Sequence, residues 1–217
     1  MRKILVWDKG TRIFHWLLAV LCTFSLASGL QNDVDVMEWH MFSGYVLLTL
    51  LFFRIMTGFF GGDYGRFSQF SLNPKEIVEY LKGRKRYYGH NPLGSWMVVT
   101  MMAILLVQIL SGFMTSDDVF LEGPWVALVD DEWISFAGET HSVNYYFLLG
   151  LIIFHLLAIA YYWKIKKENL VTPMFTGAKI VDKRVENQRA AIPMRYGRLI
   201  MFALISSGLS WFLVTFS

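Results

Sequence analysis

Five stretches of this chain, residues 13–30, 41–60, 96–114, 143–163 and 199–216, are nearly free of charge. Each is about as long as a bilayer core requires, roughly 20 residues of helix. Lipid offers no hydrogen bonds to a backbone, so a run of this length crosses as a helix that satisfies its own peptide groups. Composition agrees: 55% of the 217 residues are hydrophobic and 17% are charged, a balance wrong for a soluble domain of this size. The expected fold class is therefore an all-α membrane protein with five transmembrane helices. The first run lies too close to Met1, and is too well followed by further spans, to be a cleaved signal; no small-residue cleavage pattern follows it.

Lysine and arginine orient the spans. Arg2, Lys3, Lys9 and Arg12 precede the first. Arg66, Lys75, Lys82, Arg84, Lys85 and Arg86 lie between the second and third, and nine more lie from Lys164 to Arg198. Loops 31–39 and 115–140 contain none. The positive-inside rule then puts the N-terminus in the cytoplasm, those two loops outside, and the C-terminus outside after an odd number of crossings. Only Arg54 of the 20 basic residues sits within a span. A multi-pass membrane location is expected. The net charge of +3 conceals this asymmetry and implies no nucleic acid.

Residues 1–163 read as one four-helix core, 164–198 as a basic cytoplasmic linker interrupted by Pro173 and Pro193 with room for mobility, and 199–217 as a C-terminal transmembrane helix. In the loop 61–95, SLNPKEIVEYLKG carries a capping Asn73, Pro74 for the first turn, and Ile77, Val78 and Leu81 at helical spacing before Gly83. It predicts a short amphipathic helix at the inner membrane surface, its bases toward lipid headgroups. The outer loop 115–140 mixes acids with Trp125, Trp133 and Phe136, so part of it is expected at the interface. No internal repeat or low-complexity tract is visible. Cys22, alone in the first span, reads as a small apolar residue.

Histidine is expensive in hydrocarbon unless something binds it. Four of the five histidines lie in or at the ends of spans. His15 stands near the cytoplasmic end of the first span, His40 opens the second at the outer face, His141 opens the fourth at the outer face, and His155 lies deeper on the fourth. Depth alone sorts them into an outer pair, His40 with His141, and an inner pair, His15 with His155. Fourteen residues make nearly four helical turns, which leaves His141 and His155 on one face about 21 Å apart along the axis. The same interval leads from His15 to Gly29 and from His40 to Arg54.

A flat anionic cofactor at two levels would use these residues together: imidazole to bind, Gly29 to make room, Arg54 to meet carboxylates. Zinc wants about four clustered ligands, often with thiolate or carboxylate, and the spans supply neither. Two axial imidazoles per site suit a haem iron whose work is electron transfer. No C-x-x-C-H sequence is present for covalent attachment, so the haems are b-type, two in number, with Arg54 and Arg12 as partners for propionates. Taken alone, a histidine at a helix end is more often an interfacial polar residue than a ligand, and Arg54, six residues before Phe60, is near enough to snorkel to the inner surface. His90 has no partner at its depth and reads as a polar loop residue.

With these residues in view, the segment VWDKGTRIFHWLLAV resembles the first-helix motif of the bacterial cytochrome b561 and nickel–iron hydrogenase b-type cytochrome family. WHMFSGYVLLTLLFFRIMTG is similar to its second helix, YYGHNPLGSWMVV to the entry of its third, and THSVNYYFLLGLIIFHL to its fourth. The resemblance runs over residues 5–180 and leaves the fifth helix unmatched. It implies a four-helix core holding two haems b, with iron ligands His15 and His155 at the inner site and His40 and His141 at the outer. It also implies electron passage between the quinone pool and a redox partner.

The function expected is transmembrane electron transfer between quinone and a periplasmic partner such as a c-type cytochrome or hydrogenase. Quinone oxidoreductase activity of the chain itself is left open. The inner side offers His90, Asn91 and Lys75 to a quinone headgroup. The outer loops hold ten acids and no base, a surface that would steer a basic partner, unless the acids serve only solubility. A homodimer is among the assemblies allowed. The competing readings are a stand-alone superoxide or quinol oxidoreductase, a non-redox membrane anchor subunit, and a proton or ion transporter, which should place acids in the spans.

Overall fold

A computed structural model describes residues 2–31, 33–85, 87, 89–117, 121–181 and 192–216. Arg86, Asp118, Lys183, Arg184 and Arg189, which enter the charge pattern, lie outside the described residues. The helices are α1 (Lys9–Ser28), α2 (Val34–Phe60), α3 (Pro74–Leu81), α4 (Pro92–Phe113), α5 (Asp131–Lys164), α6 (Val171–Thr176) and α7 (Tyr196–Thr215). Five of them, α1, α2, α4, α5 and α7, are long and apolar enough to cross a membrane. The all-α membrane class and the five spans stand.

Two spans begin earlier than hydropathy marks them. α2 starts at Val34 and α5 at Asp131, so His40 and His141 lie inside helices rather than at their openings. The extra turns are polar. Asp33 caps α2 through Oδ1, which accepts from the Val36 N–H at 3.1 Å, and Asp35 stands in the first turn. Asp131 and Glu132 occupy the first turn of α5. Acids there oppose the positive end of the helix dipole, and apolar runs cannot register them.

The described chain divides into two compact units. One comprises Met1–His15, Arg54–Thr100 and Ile153–Ile200. In it β1 (Arg2–Leu5) and β2 (Ala178–Val181) pair antiparallel, Leu5 opposite Ala178 and Lys3 opposite Ile180. The Val6 and Trp7 N–H groups continue the ladder by donating to the Gly177 carbonyl at 2.8 and 3.0 Å. Part of the basic linker is thus an ordered strand, held by an N-terminal segment remote from it in sequence. Ile4 and Val6 are buried beneath it.

The amphipathic helix forms as its sequence predicts. Asn73 Oδ1 accepts from the Lys75 N–H at 3.0 Å, Pro74 opens α3, and Leu72, Val78 and Leu81 are exposed. The bases that follow it are committed to its acids: Lys85 pairs with Glu76 at 2.9 Å and Arg84 with Glu79 at 3.0 Å. A polar knot anchors α3 to α5. The Tyr80 and Tyr162 hydroxyls are 2.7 Å apart, and Asn91 Nδ2 donates to both, at 2.9 and 3.1 Å.

The second unit comprises Trp16–Phe53, Met101–Ile152 and Met201–Ser217. Its apolar core is Leu47, Leu48 and Leu51 of α2, Leu105, Ile109 and Phe113 of α4, Ala137 and Leu148 of α5, and Phe202 of α7. Buried serines accompany it, Ser28, Ser43, Ser111, Ser206 and Ser210. Small polar residues let membrane helices approach closely and bond across the gap. Ser210 Oγ donates to the Tyr45 carbonyl at 3.1 Å, and Trp125 Nε1 donates to the Leu213 carbonyl at 2.9 Å, so α7 is joined to α2 and to the 115–130 loop.

Candidate functional site

In the second unit, α2 presents His40 and α5 presents His141 with ring centroids 6.1 Å apart and planes at 84°. Both rings are half-buried. His40 Nδ1 is 2.9 Å from the Ser25 carbonyl, and His141 Nδ1 is 2.9 Å from the Gln108 carbonyl. A carbonyl oxygen only accepts, so each ring carries its proton on Nδ1, and the Nε2 lone pair is left for a ligand role. Glycines let the rings in. A Cβ on Gly29 would lie 2.8 Å from His40 Cε1, and one on Gly112 would lie 2.8 Å from His141 Cε1. Gly29 thus leaves space for the His40 ring.

Below His141 a second hydrogen-bonded set stiffens α5. Asn144 Nδ2 donates to Gln108 Oε1 at 2.7 Å and to the Ile104 carbonyl at 3.0 Å, and Gln108 Nε2 donates to the His141 carbonyl at 3.1 Å. A cleft of about 340 Å³ runs along α5 beside this set, from Phe136 past Thr140 and Asn144 to Phe147.

In the first unit, α1 presents His15 and α5 presents His155, centroids 6.4 Å apart and planes at 54°. Arg54 of α2 is buried, at 5% exposure. Its guanidinium lies 4.7 Å from the Phe67 ring centroid and 5.9 Å from that of Phe70. It makes no ion pair among the described residues, although Asp8 is within electrostatic reach. A buried charge without a counterion is costly, so an anionic group is the natural complement to this site. Arg12 is less available: its Nη1 donates to the Phe175 carbonyl, and its Nε is buried without a partner among the described residues.

His90 is boxed by aromatics, 4.7 Å from the Trp7 ring and 4.8 Å from that of Phe70. Burial, reinforced by the Arg54 charge, pushes it down to about 3, so the ring is neutral. Asn91 is spent structurally, its Oδ1 capping α4 through the Gly94 N–H at 2.7 Å and its amide nitrogen bound to two tyrosines.

The two pairs can be tested against the group they are expected to hold. Metal–imidazole bonds run about 2 Å, so one metal held between two imidazoles would leave their ring centroids roughly 6 Å apart. Both pairs meet that spacing. Among the described residues no three His, Cys, Asp or Glu side chains gather into a metal-binding cluster, so each site offers a pair of donors and no more. Two imidazoles at this spacing and a buried arginine without an ion pair among the described residues would suit a haem with carboxylate substituents. The residues fit.

A family model described as prokaryotic cytochrome b561 matches residues 6–177. The chain belongs to that family. Membership of the prokaryotic cytochromes b561 carries b-type haem and transmembrane electron transfer with it. No curated protein matches the chain. The cytochrome match ends at the turn before β2, and α7 lies beyond it.

Reasoning from sequence missed the residues that orient the histidines of this cytochrome: Ser25, Ser28, Gln108, Ser111, Gly112 and Asn144. A signal for some of them existed. SLASG at 25–29 and QILSG at 108–112 both end in Ser-Gly, one helix before a ligand candidate.

Proposed function

We propose that this cytochrome conducts electrons across the bacterial inner membrane through two haems b, ligated by His15 with His155 and by His40 with His141. The core of residues 1–163 holds both. Electrons pass between the quinone pool and a periplasmic redox partner, a c-type cytochrome or a hydrogenase. When bound, haem iron supplies the one-electron chemistry, and the protein sets geometry and potential. The observation that carries this reading is the spacing of the two imidazole pairs, 6.4 and 6.1 Å between centroids.

The four imidazoles would hold the iron, two to each centre, and a centre held by two imidazoles would leave no place for a small molecule and supply electron transfer alone. Arg54, with Arg12 in a lesser role, meets propionate carboxylates and supplies a fixed positive charge beside the His15–His155 site. The positive-inside distribution supports a cytoplasmic N-terminus and a periplasmic C-terminus, which puts the His15–His155 pair toward the cytoplasm. On that orientation the ten acids of the outer loops favour a basic partner at the His40–His141 side.

A pyridine haemochrome assay with haem-to-protein stoichiometry tests the reading. Two haems per chain are expected, falling on His155→Ala, with loss of the inner haem or of both through misassembly. One haem per chain, or full retention of haem by His155→Ala, would refute the assignment. Absence of any Soret band would favour the anchor reading.

A further inference from the structure

The two histidines of the second unit are seated in the same way by different helices. In α1 the Ser25 carbonyl receives His40 Nδ1 at 2.9 Å, Ser28 Oγ stands 3.3 Å from that nitrogen, and Gly29 leaves space for the ring. In α4 the Gln108 carbonyl receives His141 Nδ1 at 2.9 Å, Ser111 Oγ stands 3.3 Å from it, and Gly112 leaves the space. Carbonyl, hydroxyl and missing Cβ fall at the same three offsets, four residues before the glycine, one before it, and the glycine itself. Both serines are buried, at 4% exposure. Ser28 Oγ donates to the carbonyl that receives the imidazole, 3.2 Å from the Ser25 oxygen, whereas Ser111 Oγ shares its one proton between the Val107 oxygen at 2.8 Å and the Gln108 oxygen at 3.1 Å.

We propose that Ser28 and Ser111 are positioning residues that set the electron-donating strength and ring orientation of His40 and His141 at their shared site. The inference rests on reading those histidines as the iron ligands. A hydrogen bond from the far nitrogen of a ligating imidazole makes the ring a stronger donor, and the group that accepts it tunes the metal. Here the Ser28 hydroxyl draws on the same carbonyl lone pairs as the imidazole N–H, Ser111 does so in part because its proton is shared with the Val107 carbonyl, and just past α1 the Gly29 N–H draws on the Ser25 carbonyl too, at 3.0 Å. Competition weakens the imidazole's bond. Each serine thereby holds its ligand less imidazolate-like and favours the ferrous state. The two seats also fix the rings near perpendicular, at 84°, because each Nδ1 is tied to a carbonyl on a separate helix.

The test uses the full-length haem-loaded cytochrome in a redox titration followed optically, with low-spin EPR on the same samples. His40→Ala identifies the wave that belongs to the His40–His141 site. Ser28→Ala and Ser111→Ala should each retain two haems and move that wave to lower potential, the double variant further, while the other wave stays in place. Thr at either position keeps the hydroxyl and should return the wave to its original potential. Where an alanine variant fails to accumulate haem, Ser→Cys decides, since it keeps the bulk, weakens the donor and should lower the same wave by a smaller amount. Gly112→Ala should alter the EPR signal of that haem alone by turning the His141 ring. Waves unmoved in the haem-replete serine variants, or moved upward, would overturn the positioning role and leave the ligand assignment intact. Full retention of both haems in His40→Ala would overturn the ligand assignment and the positioning role together.

Discussion

Among single residues, Arg54 is the one whose burial most needs a partner. It sits beneath Phe67 and Phe70 with no ion pair among the described residues. Arg54→Leu should leave haem content largely intact and lower the potential of the His15–His155 haem. One charge at an effective dielectric of ~20 is worth on the order of 1–2 kcal/mol, or several tens of millivolts. An unchanged redox titration would remove the propionate role. Gly29→Leu and Gly112→Leu should each lose the His40–His141 haem while the other persists, because a Cβ alone would already come within 2.8 Å of a ligand ring and the further carbons fall on it. Haem stoichiometry of the two variants reads this directly, with two haems retained as the contrary result.

At the scale of elements, α3 is held by a carboxylate. Ser71, then Lys85 and Tyr87, hydrogen-bond Glu76 and pull it down to about 2. A carboxylate whose folded value lies below its unfolded value stabilises above the unfolded value, near 4.3, and loses that contribution as pH falls toward the folded one. Amide protection over residues 74–85 should therefore hold from pH 7 to about 5 and decline between about 4 and 2. Glu76→Gln should lower protection at neutral pH and flatten the acid limb. Hydrogen exchange on both forms checks it, and an acid limb that persists in Glu76→Gln would assign the decline to another group. The helix itself was legible in sequence, from Asn73, Pro74 and its apolar spacing. The Glu76 network was not, because Lys85 and Tyr87 meet it only in the folded chain and nothing in the sequence marks Ser71 as its partner.

For the whole molecule, the outer acids divide between two uses. Asp33 caps α2, and Asp35, Asp131 and Glu132 stand in first helical turns, so part of the negative charge has structural work. On the proposed orientation the remainder still faces a partner without any base beside it. Reduction of the His40–His141 haem by a basic c-type cytochrome should slow as salt rises from low to physiological ionic strength, where charge interactions fade within about 8 Å. A flat dependence would remove electrostatic steering and leave the acids to solubility and helix ends.

Hydropathy, charge and the four histidines were enough to read five spans, their class and which histidines share a level, since bilayer thickness and helical pitch are constants that any sequence must meet. Side-chain depth follows from those constants alone. The spacing of the imidazole pairs, the Ser-Gly seats behind His40 and His141, the burial of Arg54 under two phenylalanines and the strand formed by the basic linker came only with the tertiary structure. Each depends on which side chains from distant segments meet, and on carbonyls and glycines whose role is invisible until a neighbour's ring arrives against them.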